Sequence, residues 1–407
     1  MERKIRLLLA VSYLVLGFLL TITLPLDIRG LIMIGGLALL GLANFQKNLF
    51  IQYFSFLLVL FLFCQTLFGG LYLRCSIIKL MPNLKVQLRV IGDALPGISG
   101  TVRISTDNNG FKVTKSINYE RKSPYRVFAI GGSTIEEPYI DEKNTSWYLL
   151  QTWLETKFNG EGEVVDAGVS GTRARNHLAA LTEIERFHPN LVVIMMGAND
   201  WNRDITMAEK PLWGRLILST RNLLVGHNTE FLNSPLCRMV KPLFNKDVLQ
   251  TGGVDRGEYF VKQRNSLERK IRYAYHPEQV SDDYQRYVKE ILEKCKGGNY
   301  KCLLLSQISA YQPGTPDELK RLFWMTPPNE PYTLSFEDMV YIANLYNKFL
   351  AAEAKKMNIP LCDAASGIPP TTEYFFDDMH LNVRGAALLA ELIIDCIKKH
   401  NLLSPQN

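Results

Sequence analysis

One stretch limits the folds open to this chain more than any other: Arg126-Val-Phe-Ala-Ile-Gly-Gly-Ser-Thr134. Val127 to Ile130 is too short for a helix and too apolar for an exposed strand, so it reads as a central strand of a parallel sheet. The two glycines then force a sharp turn, and Ser133 follows at once. Ligands of open α/β sheets bind beyond the carboxyl ends of the strands, and the turn lifts Ser133 to that edge. The serine is therefore either a nucleophile or the cap of the next helix, and the tetrapeptide alone fits both.

The chain repeats this pattern from Tyr125 onward. Short apolar runs at 127–130, 164–167, 191–196, 302–306 and 359–362 alternate with amphipathic helical patterns at 146–157, 173–187, 283–295, 336–356 and 383–399. Such βαβα order predicts an α/β fold with a parallel sheet covered on both faces. Right-handed crossovers gather every strand's carboxyl end at one edge. Those ends run into Asp166-Ala-Gly-Val-Ser-Gly-Thr172, into Gly197-Ala-Asn-Asp200 and into Asp377-Asp-Met-His-Leu-Asn382.

Acyl transfer from an ester needs a hydroxyl nucleophile, a base for its proton, an acid to orient the base, and donors for the developing oxyanion. Ser133 supplies the hydroxyl. His380, in a polar turn after the last strand, is the best-placed base, and Asp377 can fix its ring. The other histidines read as surface or core residues: His177 and His188 in or at the end of a helical pattern, His227 and His276 in the middle segment, His400 near the chain end.

The order Gly132-Ser133, Gly171, Gly197-x-Asn199-Asp200 and Asp377-x-x-His380 resembles the SGNH, or GDSL-type, hydrolases over residues 125–400, with an interruption of about a hundred residues. The resemblance implies a three-layer flavodoxin-like domain with Ser133 as nucleophile, His380 as base and Asp377 as its orienting partner. It implies an oxyanion hole made by the Ser133 and Gly171 backbone N–H groups and the Asn199 side-chain amide. Glycine at 171 suits a backbone that approaches substrate with no β-carbon in the way. Two positions depart from the family pattern: Gly132 stands where Asp is frequent, and Asp166 where Asn is common. Neither removes a group the chemistry needs.

Residues 1–76 read as a membrane anchor. Apolar runs at 5–24 and 49–73 are long enough to cross a bilayer, which takes roughly 17 to 25 residues, and the run at 30–45 is marginal. Arg3, Lys4 and Arg6 are followed by no small-x-small cleavage site, which favours a polytopic anchor over a cleaved signal peptide. With Lys47, those charges put the amino terminus in the cytoplasm, and three crossings then leave the domain outside the cell. Arg74 and Lys79 pull the other way, and two crossings would leave it inside. Residues 77–124 read as a strand-rich connecting collar with a hairpin-type turn at Asn109-Gly110. Residues 125–407 form the expected catalytic domain, with an inserted segment at about 201–282. That insert reads as a lid, a helix on the membrane surface, or ordinary core packing, with Trp213, Leu216, Ile217, Thr220 and Leu224 on one face. Trp201 follows the third block directly and is a candidate wall of an acyl or sugar pocket.

A net charge of +6 without a basic stripe interleaved with aromatics does not point to nucleic acid and is compatible with an anionic lipid surface. Seven cysteines without a C-x-x-C pair predict neither a zinc site nor a disulfide framework. Cys295 and Cys302 flank a helix-to-strand turn and read as buried thiols, with pairing the alternative in an oxidising compartment. No phosphate loop or dinucleotide fingerprint is present, so no cofactor is implied. The expected partners are the lipid bilayer and an acylated glycan or lipid. The leading expectation is a serine esterase removing a small acyl group such as acetyl. An O-acyltransferase using the same acyl-enzyme, or a non-catalytic assembly factor keeping the fold, are the alternatives.

Overall fold

The computed structural model describes residues 79–80, 82–90, 94–208, 256–267, 270–272, 274–324, 327 and 332–403. The three apolar runs of residues 5–73 and the helical face around Trp213 lie outside these. No helix among the described residues is long and apolar enough to cross a membrane.

Strand β1 (Lys85–Val90) pairs antiparallel with β2 (Gly100–Ser105) as a separate ribbon. The main sheet contains β3 (Lys112–Val113), β4 (Tyr125–Ile130), β5 (Gly162–Asp166) and β6 (Leu191–Met195). After β7 (Ile271–Arg272), it continues with β8 (Lys301–Leu305) and, after β9 (Tyr332–Thr333), with β10 (Leu361–Cys362). Its order is β10-β8-β6-β4-β5-β3. The five runs predicted as strands are its five parallel members. Strand β3 pairs antiparallel with β5 and covers its open edge. With two residues it is too short to leave a period-two signature in the sequence.

Every residue of β4, β5 and β6 is buried. That requires cover on both faces, as the unbroken apolar runs predict. Helices on the chain include α1 (Ser133–Glu136), α2 (Ser146–Lys157), α3 (Ala174–Ile184), α4 (Ala198–Ala208), α5 (Arg256–Leu267), α6 (Asp282–Gly297), α7 (Phe336–Met357) and α8 (Val383–Lys399), of which α2, α3, α6 and α8 pack on the main sheet. Helix α2 packs on β5 and α8, whereas α6 packs on α3 and α7. Four helix starts follow from side-chain oxygens that accept the first free N–H groups. Thr145 caps α2, Ser281 caps α6, Ser335 caps α7 and Asn382 caps α8. Asn358 ends α7 in the left-handed conformation, φ 57°.

A second apolar cluster sits beside the main core. It joins Val90, Leu95, Ile98 and Val102 around the β1–β2 ribbon to Ile140, Phe260 of α5, Trp324, Phe376 and Ala386 of α8. Phe376 adjoins Asp377, so this cluster backs the carboxyl-terminal block.

The cysteines correct the sequence reading. Cys295 of α6 is bonded to Cys302 of β8, and Cys362 of β10 to Cys396 of α8, with Cα separations of 5.7 and 5.9 Å. The first pair closes the direct turn from helix into strand. The second depends on α8 packing against β10, a tertiary contact that spacing cannot reveal.

Arg126, at the amino end of β4, is fully buried. Its guanidinium pairs with Glu163 at 2.7 Å and donates to the carbonyls of Asn118, Arg121 and Phe187. It thereby ties β5, the chain leading into β4 and the turn before β6 to one point. Arg126→Ala strands Glu163 without its cation and is expected to cost about 3–5 kcal/mol, measured by urea unfolding of the intact chain.

Candidate active site

Strand β4 delivers the chain to Gly131 and Gly132, and α1 begins at Ser133. A Cβ at position 132 would lie 2.7 Å from Asn199 Nδ2. As the first residue of α1, Ser133 has a backbone N–H without an intrahelical acceptor. Its Oγ lies 2.8 Å from His380 Nε2, across 247 positions of sequence. His380 Nδ1 lies 2.8 Å from Asp377 Oδ2 and 3.1 Å from Oδ1. The three side chains form one hydrogen-bonded line.

Burial sets the electrostatics of that line. Asp377 is 0% exposed and His380 6%. Desolvation alone pushes the Asp377 carboxyl up, but the His380 imidazole and the surrounding donors hold it below the ordinary carboxylate range. Those donors are the backbone N–H groups of Met379 (2.8 Å) and His380 (2.7 Å) on Oδ1, and the Trp324 indole (2.9 Å) on Oδ2. Desolvation pushes His380 down, and Asp377, with smaller help from Asp378 and Glu136, carries it above the ordinary imidazole value. The Phe376 ring stacks on the imidazole at 5.5 Å and 9°.

Asn199 lies in the first turn of α4 and donates through Nδ2 to the Thr172 carbonyl at 2.9 Å. The neighbouring Asp200 accepts the Ala174 N–H at 3.1 Å and so pins the start of α3. Burial lifts the Asp200 carboxyl to about 7. Gly171 is exposed with φ +75°, and nothing lies within 4 Å of where its Cβ would be. Its left-handed backbone therefore requires glycine even before a substrate arrives. Glu136 of α1 fastens this loop by accepting the Ser170 hydroxyl at 2.6 Å.

Ser133 and Asn199 share one cavity with Gly132, Thr172, His177 and Gln307. Its volume is ≈ 10 Å³, about the least that holds a single water. Gly171 directly precedes the lining residue Thr172. Among the described residues no set of His, Cys, Asp or Glu gathers as a metal site.

Trp201 does not line the cavity; it is wholly buried and meets Tyr346 edge to face at 5.9 Å. Helix α4 turns it inward, opposite to what its place after the third block suggests. His177 is a core histidine, pushed down to about 3 by burial, with Nε2 3.1 Å from Thr172 Oγ1. His188 is a left-handed cap residue, φ 52°. Asp166 accepts the Gly168 N–H at 2.8 Å and also pairs with Lys112 of β3 at 2.9 Å. A carboxylate in place of the family's amide thus has a cation waiting for it. Trp324, Gln307 and the Phe376 ring were missed, because they come from irregular segments where no periodicity or motif marks them. Asn199→Ala is expected to lower kcat on p-nitrophenyl acetate by about 10²–10³-fold with KM little changed, by steady-state kinetics.

The model of the GDSL-like lipase/acylhydrolase family matches residues 129–388. Solved structures that match parts of this chain include LAE5, an α/β hydrolase from the metagenome of Lake Arreo, Spain, at 14% identity over 69% of this chain and 98% of that one, TM-score 0.37. The acetylxylan esterase Axe2 from Geobacillus stearothermophilus matches at 14% identity over 68% of this chain and 94% of its own, TM-score 0.38. The psychrotrophic esterase EstA from Pseudoalteromonas sp. matches at 13% identity over 68% and 98%, TM-score 0.36. No curated protein matches the sequence. Since the family match spans well over half of the chain, from the turn at Ser133 to the loop of His380, the protein belongs to the GDSL-like lipase/acylhydrolase family and is a serine ester hydrolase.

Proposed function

We propose that this protein is a membrane-anchored esterase that removes a small acyl group, such as acetyl, from a glycan or lipid through an acyl-enzyme on Ser133. The observation that carries the reading is the unbroken line from Ser133 Oγ to His380 to the buried Asp377, with 2.8 Å at each link. His380 Nε2 takes the proton from Ser133 Oγ as that oxygen attacks the ester carbonyl. Negative charge gathers on the former carbonyl oxygen, which the N–H groups of Ser133 and Gly171 and the Asn199 amide receive. Collapse of this intermediate expels the alcohol, which takes the proton from His380. Water then attacks the acyl-enzyme, with His380 again as base, and frees the acid and Ser133.

Ser133 and Asn199 line one cavity, which supports attack by the serine and stabilisation of the oxyanion at one place. Three apolar runs ahead of the domain and the charges flanking them support an anchor with the domain outside the cytoplasm. Two disulfides support the same side, because such bonds persist in oxidising compartments.

Ser133→Ala is expected to lower turnover of p-nitrophenyl acetate on the order of 10⁶-fold, to background. Undiminished turnover would remove Ser133 from the chemistry. A carboxyl-terminal reporter active only outside the cytoplasm should give signal in intact cells, and a signal confined to the cytoplasm would reverse the assigned side.

A further inference from the structure

Asp377 is held by more than its own loop. Its Oδ1 takes the N–H groups of Met379 and His380, both close in sequence. Its Oδ2 is shared between His380 Nδ1 and the indole of Trp324, at 2.8 and 2.9 Å. Trp324 lies 53 positions earlier, outside every motif, in the irregular chain between β8 and β9. It is 8% exposed and meets Phe260 of α5 edge to face at 5.3 Å. Phe260 meets Phe376 in the same manner at 5.8 Å, and Phe376 stacks on His380. One turn along α5, Arg264 donates to the carbonyls of Leu322, Ala94 and Phe376 at 3.1, 2.6 and 3.1 Å. The segments bearing Trp324 and Asp377 are therefore fastened to the same helix.

An indole N–H is a donor only, so it cannot exchange roles with the imidazole it faces across Oδ2. A donor on a buried carboxylate disperses its negative charge and fixes the direction of its lone pairs. Without it, Asp377 would swing more freely and hold the imidazolium more tightly, making His380 a poorer base near neutrality.

We propose that Trp324 is a positioning residue of the acid–base pair, holding Asp377 Oδ2 in register with His380 and moderating the pull of that carboxylate on the imidazole proton. The inference rests on the reading of Ser133, His380 and Asp377 given above.

The test compares the intact protein with Trp324→Phe, which keeps a ring but loses the donor. A second variant, Ile98→Ala, opens space in the same apolar cluster without touching the hydrogen bond. Each is followed by the rate of Ser133 modification with a fluorophosphonate and by kcat and KM for p-nitrophenyl acetate, as functions of pH. His380 must be neutral to act, and its ionisation lies above the ordinary imidazole value, so the parent's rates should fall as pH drops through a point above about 6.5. In Trp324→Phe the freed carboxylate raises that point further, on the order of 0.5 pH unit, and kcat falls about tenfold with KM unchanged. Ile98→Ala should lower Tm and leave the acidic limb in place. An unmoved limb in Trp324→Phe, or an equal movement in both variants, reduces Trp324 to packing and overturns the inference alone. A parent that does not react with the fluorophosphonate overturns the Ser133 reading and this inference together.

Discussion

A carboxylate with no access to solvent has to be satisfied from every side, and Asp377 imposes that demand at the centre of this molecule. Two backbone N–H groups, one imidazole and one indole answer it. They come from two parts of the chain, the loop that holds Asp377 itself and the distant segment of Trp324. The loop of residues 377–380 must curl back on itself, the segment before β9 must bring Trp324 inward, and β4 must stop where Ser133 reaches His380. The second apolar cluster bears on the same pair, since its Trp324 donates to Asp377 and its Phe376 stacks on the imidazole of His380. The β1–β2 ribbon and α5, remote from the motifs in sequence, acquire through it a direct bearing on the site.

The main sheet was legible because its information is local. Unbroken apolar runs mark strands covered on both faces, and the five parallel strands fall on the five runs. Capping residues such as Thr145, Ser281 and Asn382 mark helix starts in the same local way. Ser133, Asn199, Asp377 and His380 were legible through their order along successive strand ends, and the structure sets Ser133, His380 and Asp377 in hydrogen-bonded line.

What escaped was information carried by contacts distant in sequence. Cys362 and Cys396 meet only because α8 lies against β10, and Trp201 faces inward only because of how α4 is rotated. Strand β3 exists because β5 offers an open edge, and Lys112 of β3 finds Asp166 there. That pair also gives the carboxylate at 166, one departure from the family pattern, its partner.

The bond between Cys362 and Cys396 has a topological meaning beyond its stabilising effect. Residues 377–380 lie between the two cysteines, so the stretch bearing Asp377 and His380 is part of a closed covalent ring, one side of it seated in strand β10. A tail that frays can carry its side chains far from the sheet; a closed ring limits how far they travel. If α8 opens, His380 stays within the reach of a tether anchored to the sheet, and the entropy lost on returning to Ser133 is that of a short loop instead of a free chain end. The site is in this sense held shut by connectivity as well as by packing.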